Sequence, residues 1–97
     1  MLLVALLDLE RTRLPEFRAY ERKVADIMRR HGGVFERAIE LDGPEPDEVR
    51  ELHILRFPNA AALAAYRADP DYVSLAADRE ACVRATTVYP ALDLPPY

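Results

Sequence analysis

The first seven residues, Met1-Leu2-Leu3-Val4-Ala5-Leu6-Leu7, are apolar without alternation. A strand over residues 2–9, buried on both faces, explains that pattern. Asp8 to Arg13 is polar and leads into a helix. Pro15 has no amide hydrogen to leave unpaired in a first turn, and Glu16 suits the positive end of the helix dipole. Phe17, Tyr20, Val24, Ile27 and His31 then recur at helical spacing, with Met28 beside them. Arg18, Glu21, Arg22, Asp26, Arg29 and Arg30 form the opposite, polar face. Gly32-Gly33 closes the helix, because glycine adopts the left-handed cap conformation without a Cβ clash.

Residues 34–42 read as a second strand, with Phe35, Arg37, Ile39 and Leu41 on its odd positions. Gly43-Pro44-Glu45-Pro46-Asp47 is a turn, and a third strand follows at about 49–57, so these two strands form an antiparallel hairpin. Pro58 ends it, and Asn59 can cap a helix over 60–68. Asp69-Pro70 interrupts that helix, and Asp69 caps a second segment over about 70–81. A last strand runs from about 83 to 89, and residues 90–97 form an extended C-terminal tail. The order βαββαβ predicts one α+β domain spanning residues 1–97. Its fold is ferredoxin-like, a four-stranded antiparallel sheet with two helices on one face.

Ninety-seven residues are too few for two cores. A formal net charge of −4 offers no electrostatic footprint for nucleic acid or an anionic membrane surface. No stretch is apolar enough to span a bilayer. The apolar N-terminus lacks a basic region before it, and Asp8 follows too soon for a signal peptide, so a cytoplasmic location is expected. Cys82 is the single cysteine, and His31 and His53 are the only histidines. These numbers preclude an internal disulfide, a cysteine-based zinc site and a three-histidine metal site within one chain. No phosphate loop, serine elbow or acidic metal motif is present, so no metal and no cofactor are expected.

Helices cover one face of such a sheet, yet the first strand is apolar on both faces. The third strand offers Leu52 and Ile54 on one parity and Leu55 and Phe57 on the other. A second copy packed sheet to sheet is the simplest cover for the remaining face, giving a homodimer. The alternative is a monomer whose tail, residues 91–97, folds over the sheet.

The chain also resembles a known family. Its marks are Tyr20 and Lys23, then His31-Gly32-Gly33, Leu41-Asp42-Gly43, Phe57-Pro58-Asn59, Ala65-Tyr66, Asp69-Pro70-Asp71-Tyr72 and Arg79. In this order and spacing they resemble the bacterial family known as domain of unknown function 1330, within the dimeric α/β-barrel superfamily. Departures are Glu36 after the glycine pair, Asp42 in place of Glu, and Tyr66 where Trp is frequent. The resemblance implies ferredoxin-like protomers paired through their sheets, and it carries no common reaction.

Tyr72, Leu75, Ala76 and Arg79 share one helical face, so Arg79 points inward if Leu75 is buried. An inward guanidinium needs a partner, either a carboxylate such as Glu51 or Asp78 or the carboxylate of a ligand. His53 shares a strand parity with Glu51, Leu55 and Phe57, and is either a core histidine or a general base oriented by Glu51. Side chains two apart on a strand lie near 7 Å, which is loose for a direct bond. Tyr20, Tyr66 and Tyr72 lie on the segments flanking any pocket between helices and sheet. His31 suits the negative end of its helix. Tyr20, His53, Tyr66, Tyr72 and Arg79 are therefore the candidate site residues, for a small anionic or aromatic ligand. The alternatives are a cofactor-independent enzyme like a monooxygenase or an isomerase, with His53 as base, and a structural or interaction subunit. Haem degradation is disfavoured, since Trp is absent and no His falls on the second helix.

Overall fold

The computed structural model describes residues 1–97. Its elements are β1 (Leu2–Glu10), α1 (Leu14–Arg30), β2 (Val34–Asp42), β3 (Glu48–Arg56), α2 (Ala60–Ala68), α3 (Pro70–Val73), α4 (Ala76–Cys82) and β4 (Ala85–Ala91). The sheet order is β2-β3-β1-β4, and every neighbouring pair is antiparallel. This is the ferredoxin-like fold. No helix is long and apolar enough to cross a membrane.

β1 sits in the middle of the sheet. Leu3, Ala5, Leu7 and Leu9 are buried under the helices, while Leu2, Val4 and Leu6 are only half-buried on the open face. The register sets the two faces strand by strand. Ala5 pairs with His53 and Val88 on the covered side, and Val4 pairs with Ile54 and Tyr89 on the open side. His53 thus faces the helices, a direction that strand parity alone left undecided.

α1 presents Phe17, Tyr20, Val24, Ile27 and Met28 to the sheet, all buried. It ends as its sequence predicts. Gly33 N–H donates to the Met28 carbonyl and Gly32 N–H to that of Arg29, which is the Schellman arrangement. Gly32 has φ +75°, and a Cβ on Gly33 would sit 2.6 Å from the Phe57 ring. Asn59 caps α2 by accepting from Ala62 N–H at 2.9 Å, and Asp69 caps α3 by accepting from Asp71 N–H at 2.9 Å.

Four expectations need correction. The segment over 70–81 is not one helix, because Ser74 and Leu75 separate α3 from α4. The last strand is displaced to 85–91, so Pro90 belongs to the strand rather than to the tail. Pro90 lies on the sheet edge, where no partner strand misses its absent N–H. In β2, Glu36 is an extra residue between Phe35, opposite Leu55, and Arg37, opposite Ile54. The bulge swaps the parity, so Phe35 faces the helices while Arg37, Ile39 and Leu41 face the open side. Last, Glu21 is not among the solvated residues of α1, as described below. The tail leaves Leu92, Leu94 and Tyr97 exposed and anchors itself by Asp93 to Arg56 at 2.9 Å, so it does not cover the open face.

Candidate functional site

A cavity of about 140 Å³ lies between the helices and the covered face of the sheet. Leu3, Ala5, Val24, Met28, Leu55, Phe57 and Leu63 give it apolar walls. Tyr20, His53, Tyr66, Tyr72 and Arg79 all border it, so the five residues singled out from the sequence meet at one place.

The break at Asp69-Pro70 builds the tyrosine wall. On one straight helix, residues six apart point about 120° away from each other. The kink instead brings Tyr66 and Tyr72 to 4.5 Å between ring centroids. Phe57 adds a third ring 5.3 Å from Tyr66. The kink is held by Asp69, which takes His31 Nε2 at 2.8 Å as well as its own cap bond. The His31 bond, then the Asp71 amide, holds the Asp69 carboxyl below its ordinary range. His31 is thus a tie between the end of α1 and the start of α3.

Arg79 donates through Nε to the Tyr20 hydroxyl at 2.9 Å, and its guanidinium lies 5.0 Å from the centre of the Tyr72 ring. The carboxylates expected to neutralise it are engaged elsewhere: Glu51 pairs with Arg18 and Asp78 with Lys23. Arg79 therefore meets a phenol and a ring face but no carboxylate, and its terminal nitrogens keep donors to spare. The Tyr20 bond raises its affinity for its proton. Burial pushes the Tyr20 hydroxyl up to about 12 against the lowering effect of Arg79, and burial pushes Tyr66 up as well.

His53 Nε2 lies 2.8 Å from Glu51 Oε1, and both side chains are buried. The long Glu51 side chain leans along the strand and closes the separation that the backbone spacing alone made too wide. Arg18 donates to the other Glu51 oxygen. Phe35 meets His53 edge-on at 5.3 Å. The chain Arg18–Glu51–His53 therefore leads from the surface to the cavity wall.

Two residues escaped the sequence reading. Arg67 reaches the rim of the cavity. Glu21 lines it and also lines a neighbouring cleft of about 450 Å³ between α1 and β2. Burial raises the Glu21 carboxyl to about 7, and the nearby Glu51 charge adds to the effect. The signal was available: Glu21 stands four residues after Phe17 and three before Val24, on the flank of the buried stripe. No group of three or more His, Cys, Asp or Glu side chains is arranged to hold a metal ion. Cys82 is buried, and its thiol donates to the Asp78 carbonyl rather than to any histidine.

No functionally curated protein is significantly similar to the chain in sequence. Among solved structures, a candidate antibiotic biosynthesis monooxygenase from Bacteroides thetaiotaomicron is similar, with TM-score 0.71 and 22% identity over 99% of this chain and 90% of that one. RPA0582 of Rhodopseudomonas palustris, a protein of unknown function, gives TM-score 0.71 and 23% identity over 97% and 84%. SnoaB of Streptomyces nogalater, described as a cofactor-independent oxygenase, gives TM-score 0.64 and 17% identity over 99% and 96%. At these identities the likeness is one of fold. The family model for Domain of unknown function (DUF1330) matches residues 4–89, nearly the whole domain, and the chain belongs to the DUF1330 family.

Proposed function

We propose that the protein binds a small anionic molecule with an aromatic or other apolar body, in the cavity between helices and sheet. It does so as a cytoplasmic homodimer joined through the open sheet faces. One observation carries the ligand reading: Arg79 borders an apolar cavity with spare donors and no carboxylate partner. Such a guanidinium binds a carboxylate through charge-assisted bonds. The cavity suits a ring, since a cavity of roughly 150 Å³ accepts benzene. A cavity beside Arg79 counts against a purely structural subunit.

The dimer reading rests on Leu2, Val4, Leu6, Leu52 and Ile54, which form a half-exposed apolar field that the tail leaves uncovered. Covering each such side chain contributes up to roughly 1.5–3 kcal/mol. The single cysteine, free and buried, suits a reducing compartment.

The test uses benzoate and its uncharged counterpart benzyl alcohol, followed by ligand-observed NMR. Benzoate should bind the native protein at least tenfold more tightly than benzyl alcohol. Arg79→Met should abolish that preference while changing the melting temperature little, because no carboxylate is left stranded. Equal binding of the two probes to native protein would refute the reading. A second reading, a cofactor-independent enzyme similar to the oxygenase relatives, is favoured by the His53–Glu51 bond, which orients an imidazole at the cavity wall.

A further inference from the structure

We propose that Glu21 and His53 act as an acid–base pair that enolises a 2-oxo acid held by Arg79. The inference rests on the anion-binding reading above and adds a reaction to it. Only Glu21, Phe35 and His53 border both the cavity and the adjoining cleft, so the two titratable side chains stand where a bound molecule would extend from one space into the other.

Glu21 has neither a hydrogen bond nor an ion pair. The two arginines near it are committed, Arg18 to Glu51 and Arg79 to Tyr20. Burial and the Glu51 charge favour its neutral carboxyl, which can donate a proton. Arg18 can only donate, so Glu51 serves as acceptor and His53 Nε2 is the donor in the bond between them. In the neutral imidazole the lone pair then sits on Nδ1. That atom has no protein partner, yet no buried side-chain nitrogen or oxygen lacks one. Nδ1 therefore borders open space.

A 2-oxo acid fits this arrangement. Its carboxylate meets Arg79, its carbonyl oxygen meets the Glu21 hydroxyl, and its apolar substituent meets the walls. His53 Nδ1 takes a proton from C3. The C3–H electron pair becomes the C2–C3 double bond, and the carbonyl π pair moves to oxygen, which takes the Glu21 proton. The enol leaves, and the imidazolium and carboxylate return to their starting states by proton exchange with water. No oxidant, reductant or cofactor enters the balance.

Phenylpyruvate in D₂O supplies the assay, since each reversal of the step places deuterium at C3, read by proton NMR. Native protein should accelerate exchange above the buffer rate, and benzoate should inhibit it. Glu21→Gln and His53→Asn should each slow exchange about 10²-fold or more. If His53→Asn does not fold, Glu21→Gln decides alone, because its side chain is only partly buried and close in shape to the original. Benzoate binding without exchange overturns the acid–base pair and spares the anion site. Loss of both overturns both. Exchange undiminished in Glu21→Gln also overturns the pair.

Discussion

Glu21→Gln should stabilise the protein at neutral and alkaline pH and do almost nothing near pH 4. The Glu21 carboxyl moves from an ordinary value of 4.5 to about 7 on folding, chiefly because burial penalises the charged form. Between those values the folded protein holds a proton that the unfolded chain has released, so stability falls as pH rises through the window. Below it the group is protonated in both states, and the difference vanishes. Each pH unit inside the window costs about 1.4 kcal/mol, so the full penalty above neutrality is on the order of 3 kcal/mol. Glutamine keeps the shape and never ionises, so it escapes that penalty. Urea unfolding at pH 5 and pH 8, at one protein concentration so that any dimer contributes equally, gives the comparison. The expected gain is a little under 1 kcal/mol at pH 5 and roughly 3 kcal/mol at pH 8. Equal gains at the two pH values, or a loss at pH 8, would show that the Glu21 carboxyl is not held out of water.

Asn59→Ala removes the acceptor for Ala62 N–H and should cost about 1 kcal/mol, seen as a fall of roughly 4–8 °C in the thermal melt. Gly33→Ala drives a methyl group into the buried Phe57 ring and should cost roughly 1–3 kcal/mol, whereas an unchanged melt would mean that the ring can retreat. Ile54→Asp sets a charge in the centre of the open sheet face, and light scattering should show native dimers becoming monomers at micromolar concentration. A native mass of one chain would contradict the dimer outright.

The parts of the fold that local rules govern could be read from the chain. Gly32-Gly33, Asn59 and Asp69 end or begin helices because each satisfies backbone groups within a few residues of itself. The inward stripe of α1 follows from helical periodicity in the same way. Arg79 turns inward although Ser74 and Leu75 break the helix face on which the sequence placed it, and Ala76 of that face is exposed. What escaped depends on pairing across the molecule. The Glu36 bulge exists only relative to β3, so no pattern within β2 announces it. The Arg79–Tyr20 bond joins residues 59 apart in sequence, while Glu51 pairs with Arg18 and Asp78 lies near Lys23, pairings that no local pattern announces. Glu21 was placed in water because a two-sided view of a helix has no place for a residue on the boundary.

The extra residue in β2 gives the strand a slack in length that substitution does not reveal. Glu36 is exposed, and many replacements there should pass unnoticed. Deleting it would set Phe35 and Arg37 side by side opposite Leu55 and Ile54, the partners they already have. Strict alternation would then keep Phe35 beside His53 and hold Ile39 and Leu41 on the open face. Losing a second residue between Phe35 and Ile39 would instead set those two on one face and force a choice between the ligand cavity and the apolar face on the other side of the sheet. Related chains should accordingly tolerate the loss of one residue here, and vary more freely in length only in the Gly43–Asp47 turn and the C-terminal tail.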